Sequence, residues 1–178
     1  CGVNAIYPSG AEAVSAQLNA LMTDFPIDAI KTGMLFDAQT IETVTDFIER
    51  LSAPLIVDPV MIATSGASLL DRNAVSAYRP LIARACLLTP NLPEAQALLN
   101  CAAIETPDAM VSAANRLLDF GCKAVLLKGG HTPARLANLD GIGGNDQIAD
   151  FLLMQTASGV TARWFSTQRL KILGHGTG

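Results

Sequence analysis

Four stretches of this chain carry residue types suited to gripping phosphate. Leu55-Ile56-Val57 runs into Asp58-Pro59, and Leu87-Leu88 runs into Thr89-Pro90-Asn91 with Glu94 three residues after the amide. Ala124-Val125-Leu126-Leu127 runs into Lys128-Gly129-Gly130, and the last residues are His175-Gly176-Thr177-Gly178. Together they offer an acid, an amide paired with a carboxylate, a lysine and a glycine-rich backbone turn. That inventory suits a nucleoside triphosphate with Mg²⁺, because the ion prefers oxygen ligands and keeps several waters, and because phosphoryl transfer asks a protein mainly for positioning and charge neutralisation. The Walker pattern Gly-x-x-x-x-Gly-Lys-Ser/Thr is absent, so this is not an ordinary P-loop site. Each residue also has a plain structural reading. Asn91 could be a helix N-cap and Glu94 a first-turn acid favoured by the helix dipole, Asp58 a loop cap, and Met34 core filler.

The elements that must position these residues follow from apolar periodicity. Val14, Leu18, Leu21, Met22 and Phe25 predict a helix over 10–24, and Ile41, Val44, Phe47, Ile48 and Leu51 predict another over 38–51. Short apolar runs over 27–35, 54–60, 85–88 and 123–128 predict buried strands, with Gly33 allowing close backbone approach. Residues 73–84 look helical, but Pro80 should break or kink them. Asn91 opens a short helix to about Leu99, and Thr106-Pro107-Asp108 is a strong start for one that Gly121 stops. Alternation of strand and helix with short joints predicts an α/β fold, a three-layer α/β/α arrangement with helices on both faces of a mostly parallel sheet. In such sheets ligands gather beyond the carboxyl ends of the strands. Polar, glycine-rich residues 132–149 predict a surface loop. Residues 150–156 and 161–166, separated by Ala157-Ser158-Gly159-Val160, predict an antiparallel hairpin, and 170–173 one more strand.

Composition narrows the partners. The 178 residues, half of them apolar, suffice for one domain with a real core. A net charge of −4 without a Lys/Arg run argues against nucleic acid or an anionic membrane surface as partner. No apolar run reaches the roughly 18 residues that span a bilayer. Cys1, Cys86, Cys101 and Cys122 form no C-x-x-C pair, so they read as free thiols of a cytoplasmic protein. A chain that begins at Cys1 and ends inside a glycine-rich run reads as an incomplete domain.

Five motifs in order sharpen this: Lys31-Thr32-Gly33-Met34-Leu35, Asp58-Pro59-Val60-Met61 followed by Ser65-Gly66, Thr89-Pro90-Asn91-Leu92-Pro93-Glu94-Ala95, Lys128-Gly129-Gly130-His131 and His175-Gly176-Thr177-Gly178. As a set they resemble the hydroxymethylpyrimidine/phosphomethylpyrimidine kinases of thiamine biosynthesis, members of the ribokinase-like superfamily. The resemblance covers nearly the whole chain except about 132–160. It implies ATP-dependent phosphorylation of a pyrimidine hydroxymethyl group and then of the monophosphate. It further implies Asp58, Asn91, Lys128 and Thr177 at the nucleotide, Glu94 holding Mg²⁺ through water, and Met34 and Val60 bordering the pyrimidine. Gly176, Thr177 and Gly178 would form the anion hole, with a catalytic Cys or Asp expected next in the chain. The family's glycine-rich substrate loop, its substrate glutamine and its C-terminal helices have no counterpart in residues 1–178, which therefore read as one domain lacking both ends. A homodimer is implied by the resemblance alone. Pyridoxal kinase, a relative with overlapping motifs, is the nearest rival, although Lys128-Gly129-Gly130-His131 and the Leu-Pro after Asn91 favour the pyrimidine kinase. A non-catalytic nucleotide-binding module is the alternative of another class.

Overall fold

The computed structural model describes residues 5–61, 72–130 and 147–168. In chain order these form Ala11–Asp24 (α1), Ile30–Thr32 (β1), Ala38–Glu49 (α2), Leu55–Val57 (β2), a 3-10 turn Arg72–Ala77, Tyr78–Ala83 (α3), Leu87–Leu88 (β3), Leu92–Leu99 (α4), Pro107–Leu118 (α5), Ala124–Leu127 (β4), Gln147–Thr156 (β5) and Gly159–Gln168 (β6). Local chemistry explains the helix starts. Asp37 accepts the Thr40 N–H at 2.8 Å ahead of α2, and Thr106 accepts the Ala109 N–H at 3.1 Å ahead of α5, with Pro107 at the first helical position, where no N–H is needed.

The strands make one six-stranded sheet in the order β1-β2-β3-β4-β5-β6. The first four run parallel and β5 and β6 return antiparallel. Because each crossover advances one strand in the same direction, right-handed connections put the intervening helices on one face. The described helices thus supply one of the two outer layers expected. Under them lie Leu55, Val57, Leu88, Val125, Leu127, Phe151 and Leu153, all buried, each side chain stabilising the fold by roughly 1.5–3 kcal/mol through burial. Ile56, Leu87, Leu126 and Leu152 alternate to the other face and are only half-buried.

Several boundaries differ from expectation for identifiable reasons. β1 is Ile30–Thr32 rather than 27–35, since only those residues pair, Ile30 with Leu55 and Thr32 with Val57. Likewise β3 is only Leu87–Leu88. Pro80 does not break a helix midway: the 3-10 turn ends at Ala77 and α3 starts at Tyr78, so Pro80 falls in the first turn, where its missing N–H costs nothing. Residues 147–149, expected in the surface loop, are strand: Gln147, Ile148 and Ala149 pair with Gln168, Thr167 and Ser166. Gly159 and Val160, expected in the turn, open β6, leaving Ala157-Ser158 as a two-residue turn with Gly159 at φ 121. Helix α1 forms as expected but buries none of its residues completely; Leu21 lies exposed while Val14, Leu18 and Met22 pack partly on the core.

Candidate active site

The four parallel strands point their carboxyl ends the same way, so Gly33-Met34, Asp58, Thr89-Pro90-Asn91 and Lys128 lie along one edge. Asp58 is the hub of that edge. Its Oδ1 accepts from Lys128 Nζ at 3.0 Å and from Thr89 Oγ1 at 3.3 Å, and its Oδ2 accepts from Lys31 Nζ at 3.1 Å. Two ammonium groups from strands on either side of β2 thereby converge on one carboxylate, leaving one net positive charge. Burial alone would raise the Asp58 pKa, yet the hydrogen bonds and charges of Lys128 and Lys31 outweigh it and hold the carboxyl below its usual range. The pairs differ in setting: the Lys31 side chain is 58% exposed and that of Lys128 31%. Solvent screening therefore leaves the Lys31 pair little to contribute to stability. A charged group kept at little structural gain invites a functional explanation.

Beside this hub the chain turns from β3 into α4 through a complete capping box. Asn91 Oδ1 accepts the Glu94 N–H and Glu94 Oε2 accepts the Asn91 N–H, both at 2.8 Å. The capping reading of these two residues is therefore what the structure builds. It does not exhaust them. With its oxygen committed to the cap, Asn91 keeps its Nδ2 donors, which make no hydrogen bond among the described residues. A bridge between Asn91 and Lys128, with the Lys128 N–H donating to Pro90 O at 2.9 Å, locks the two loop tips together.

Glu94 is only 3% exposed. Burial raises its pKa, the Asp58 charge adds to that, and the N–H groups of Asn91 and Met61 with the Lys128 charge offset only part. Nearby, Tyr78 is fully buried and its hydroxyl has no hydrogen-bond partner among the described residues. Burial, then the Glu94 and Asp58 charges, push its phenol pKa up. Thr32 Oγ1, at the carboxyl end of β1, is a second buried hydroxyl without a partner among the described residues. Unsatisfied buried hydroxyls are uncommon and mark places where ordered water or a ligand belongs.

Of the residues expected at the site, Asp58, Asn91, Glu94 and Lys128 come together. Met34 lies along the same edge and is 42% exposed, which excludes the core-filler reading. Val60 is half-buried two residues beyond Asp58, its N–H donating to Asp58 O at 2.9 Å. Gly176, Thr177 and Gly178 lie outside the described residues, as do Ser65, Gly66, His131 and most of the expected loop 132–149. Cys86, Cys101 and Cys122 are free thiols as expected. Three participants carried no role in the sequence reading. Lys31 was visible only as part of a motif, since a lysine on a strand reads as a solvated residue until its neighbour's acid is known. Asp150 on β5 accepts the Gly129 N–H at 2.8 Å and so fixes the glycine turn after Lys128. Tyr78 gave no signal beyond apolar periodicity. A Cβ placed on Gly33 or Gly130 would meet none of the described residues within 4 Å, so among these residues the edge is open beside both glycines.

The family model described as phosphomethylpyrimidine kinase matches residues 1–178. The hydroxymethylpyrimidine/phosphomethylpyrimidine kinase of Haemophilus influenzae is 44% identical over 133 residues, 74% of this chain and 49% of that protein. Its counterpart in Helicobacter pylori is 38% identical over 178 residues, 97% of this chain and 60% of that protein. Among solved structures, the ADP complex of Bacillus subtilis pyridoxal kinase superposes with a TM-score of 0.78 at 26% identity, covering 95% of this chain and 59% of that one. The chain spans about half the length of most curated relatives it matches. No described helix is long and apolar enough to cross a membrane. A match along all its residues and a mixed sheet shared with these kinases lead to one conclusion: the chain belongs to the phosphomethylpyrimidine kinase family and has its ribokinase-like α/β fold.

Proposed function

We propose that residues 1–178 are part of a single-domain cytoplasmic kinase that phosphorylates 4-amino-5-hydroxymethyl-2-methylpyrimidine with ATP, and then phosphorylates the monophosphate. The observation that carries this reading is Asp58 held between Lys31 and Lys128 on the edge that also presents Asn91. Lys128 neutralises donor phosphate charge, Asp58 fixes where that ammonium stands, and the free Nδ2 donors of Asn91 address phosphate oxygens. Met34 and Val60 border the pyrimidine. Gly176, Thr177 and Gly178 supply N–H groups to the transferred phosphoryl group, with Thr177 also at the nucleotide, and a Cys or Asp following Gly178 takes the hydroxyl proton. The acceptor oxygen then bonds to the γ-phosphorus as ADP leaves with the bridging electron pair.

The residues also fit hydrated Mg²⁺. Glu94 has lone pairs left after accepting two N–H groups, and the Tyr78 hydroxyl, without a partner among the described residues, lies near enough for the Glu94 charge to bear on it, so the surroundings include polar groups with hydrogen-bonding capacity to spare. Glu94 would hold the ion through water, and what the ion supplies is neutralisation of charge on the β- and γ-phosphates. A homodimer is the assembly proposed.

Pyridoxal is the second substrate to weigh, because a pyridoxal kinase superposes on this sheet. The test is ADP release by the full-length protein with ATP and Mg²⁺ and either the hydroxymethylpyrimidine or pyridoxal. The proposal expects kcat/KM at least about tenfold higher for the pyrimidine, the scale a shaped pocket achieves between similar rings. Turnover confined to pyridoxal would replace this substrate with the second one.

A further inference from the structure

Lys31 stands apart from the other polar groups of the edge. It belongs to β1, two strands away from Asn91 and three from Lys128 in the sheet order. It reaches Asp58 Oδ2 from the side on which Met34 lies, whereas Lys128 reaches Oδ1 from the side of Asn91. Its ammonium gives one hydrogen to Asp58 and one to Thr32 O at 3.3 Å, and its side chain is still 58% exposed. An ammonium has three donors, so one is uncommitted among the described residues and can serve a ligand. The edge therefore holds a cation at each end of one carboxylate, and no described residue crowds Gly33, two positions on from the outer one.

A kinase acting on a neutral alcohol needs a cation only where the donor phosphates sit. A second phosphorylation changes the electrostatics, because the acceptor is then a phosphomonoester anion approaching a polyphosphate. Repulsion between the two must be offset on the acceptor side as well. Resting on the two-step reading above, we propose that Lys31 is the receptor for the phosphate of the monophosphate substrate and so a specificity residue for the second transfer. In that step a non-bridging oxygen of the substrate phosphate, already deprotonated at neutral pH, bonds to the γ-phosphorus of ATP. The bond from that phosphorus to the β,γ-bridging oxygen breaks, ADP takes the electron pair, and a diphosphate ester is left. No base is required, in contrast to the first step, where a hydroxyl must lose its proton. Asp58 keeps Lys31 extended over the edge before the anion arrives.

The test is steady-state kinetics of the full-length protein and its Lys31→Met and Lys31→Arg variants, with the alcohol and the monophosphate assayed separately. Loss of one charge-assisted contact predicts that Lys31→Met raises KM for the monophosphate about tenfold or more beyond any change for the alcohol. Lys31→Arg recovers most of that difference, since it keeps the charge. Equal losses on both substrates would mean that Lys31 acts only by placing Asp58, and no loss on either would mean that it does not meet the anion; both overturn the assignment. A wild-type protein that turns over neither substrate would instead remove the two-step reading, and this inference with it.

Discussion

The parallel half of the sheet and the hairpin that follows it are built on opposite principles. Strands β1 to β4 are two to four residues long, and each hands over within a few residues to a group placed on the edge. Strands β5 and β6 are ten residues each and pair along their whole length; Asp150 reaches the edge by accepting the Gly129 N–H, and β6 is exposed at nine of its ten positions. Short parallel strands derive their stability from helices packed across them and leave their ends free for chemistry. The long hairpin is held by its own ladder and by Phe151, whose ring sits 4.5 Å from Trp164 while its strand pairs with Leu127. Stability and the proposed chemistry are thus divided between neighbouring parts of one sheet.

Breaking the hairpin's anchor should have the largest effect. Phe151→Ala removes a ring that is 1% exposed and should cost about 3–5 kcal/mol, read as a lower denaturation midpoint. Asp58→Asn should fall mainly on function, lowering kcat/KM of the full-length protein by roughly 100-fold or more while lowering the melting temperature much less than Phe151→Ala does. Stability against pH tests the same residue. The folded Asp58 carboxyl lies below its ordinary 3.8, so its contribution is fully present above that value and is lost as pH falls through the lower folded pKa. The wild type should therefore lose stability relative to Asp58→Asn below about pH 4. An unaltered difference across that range would remove the pairing. Asn91→Ala, which takes away an N-cap, should cost about 1 kcal/mol in denaturant titrations and weaken ATP binding as well. On the hairpin's outer strand, Val160→Thr should change stability by no more than about 0.5 kcal/mol and leave kinetics alone, as Val160 is 58% exposed. A large kinetic effect there would contradict the division drawn above.

How much of this could be read from the sequence followed the same division. Asp58, Asn91, Glu94 and Lys128 were legible because each follows a short apolar run, and a parallel sheet sends the ends of all such runs to one side. Lys31 was not, since its meaning depends on the strand pairing that places Thr32 against Val57, next to Asp58. Tyr78 was hidden for a related reason: an aromatic at helical spacing says nothing about what its hydroxyl meets. The start of β5 at Gln147 was missed because strand periodicity fades into the preceding glycine-rich polar residues, and only pairing with Gln168 defines it. The capping box at Asn91 and Glu94 is compatible with the ligand-facing role proposed for them, because the cap uses the amide oxygen and leaves Nδ2 without a partner among the described residues. The same cap that commits one side of the amide frees the other.

The polyphosphate grip proposed for Lys128 and Asp58 is measured most directly by equilibrium binding of ATP to the full-length protein. Lys128→Met should weaken binding by about tenfold or more, as expected for one lost charge-assisted phosphate contact, with Lys128→Arg recovering part of the affinity. An ATP affinity unchanged in Lys128→Met would contradict the assignment of this edge to the nucleotide.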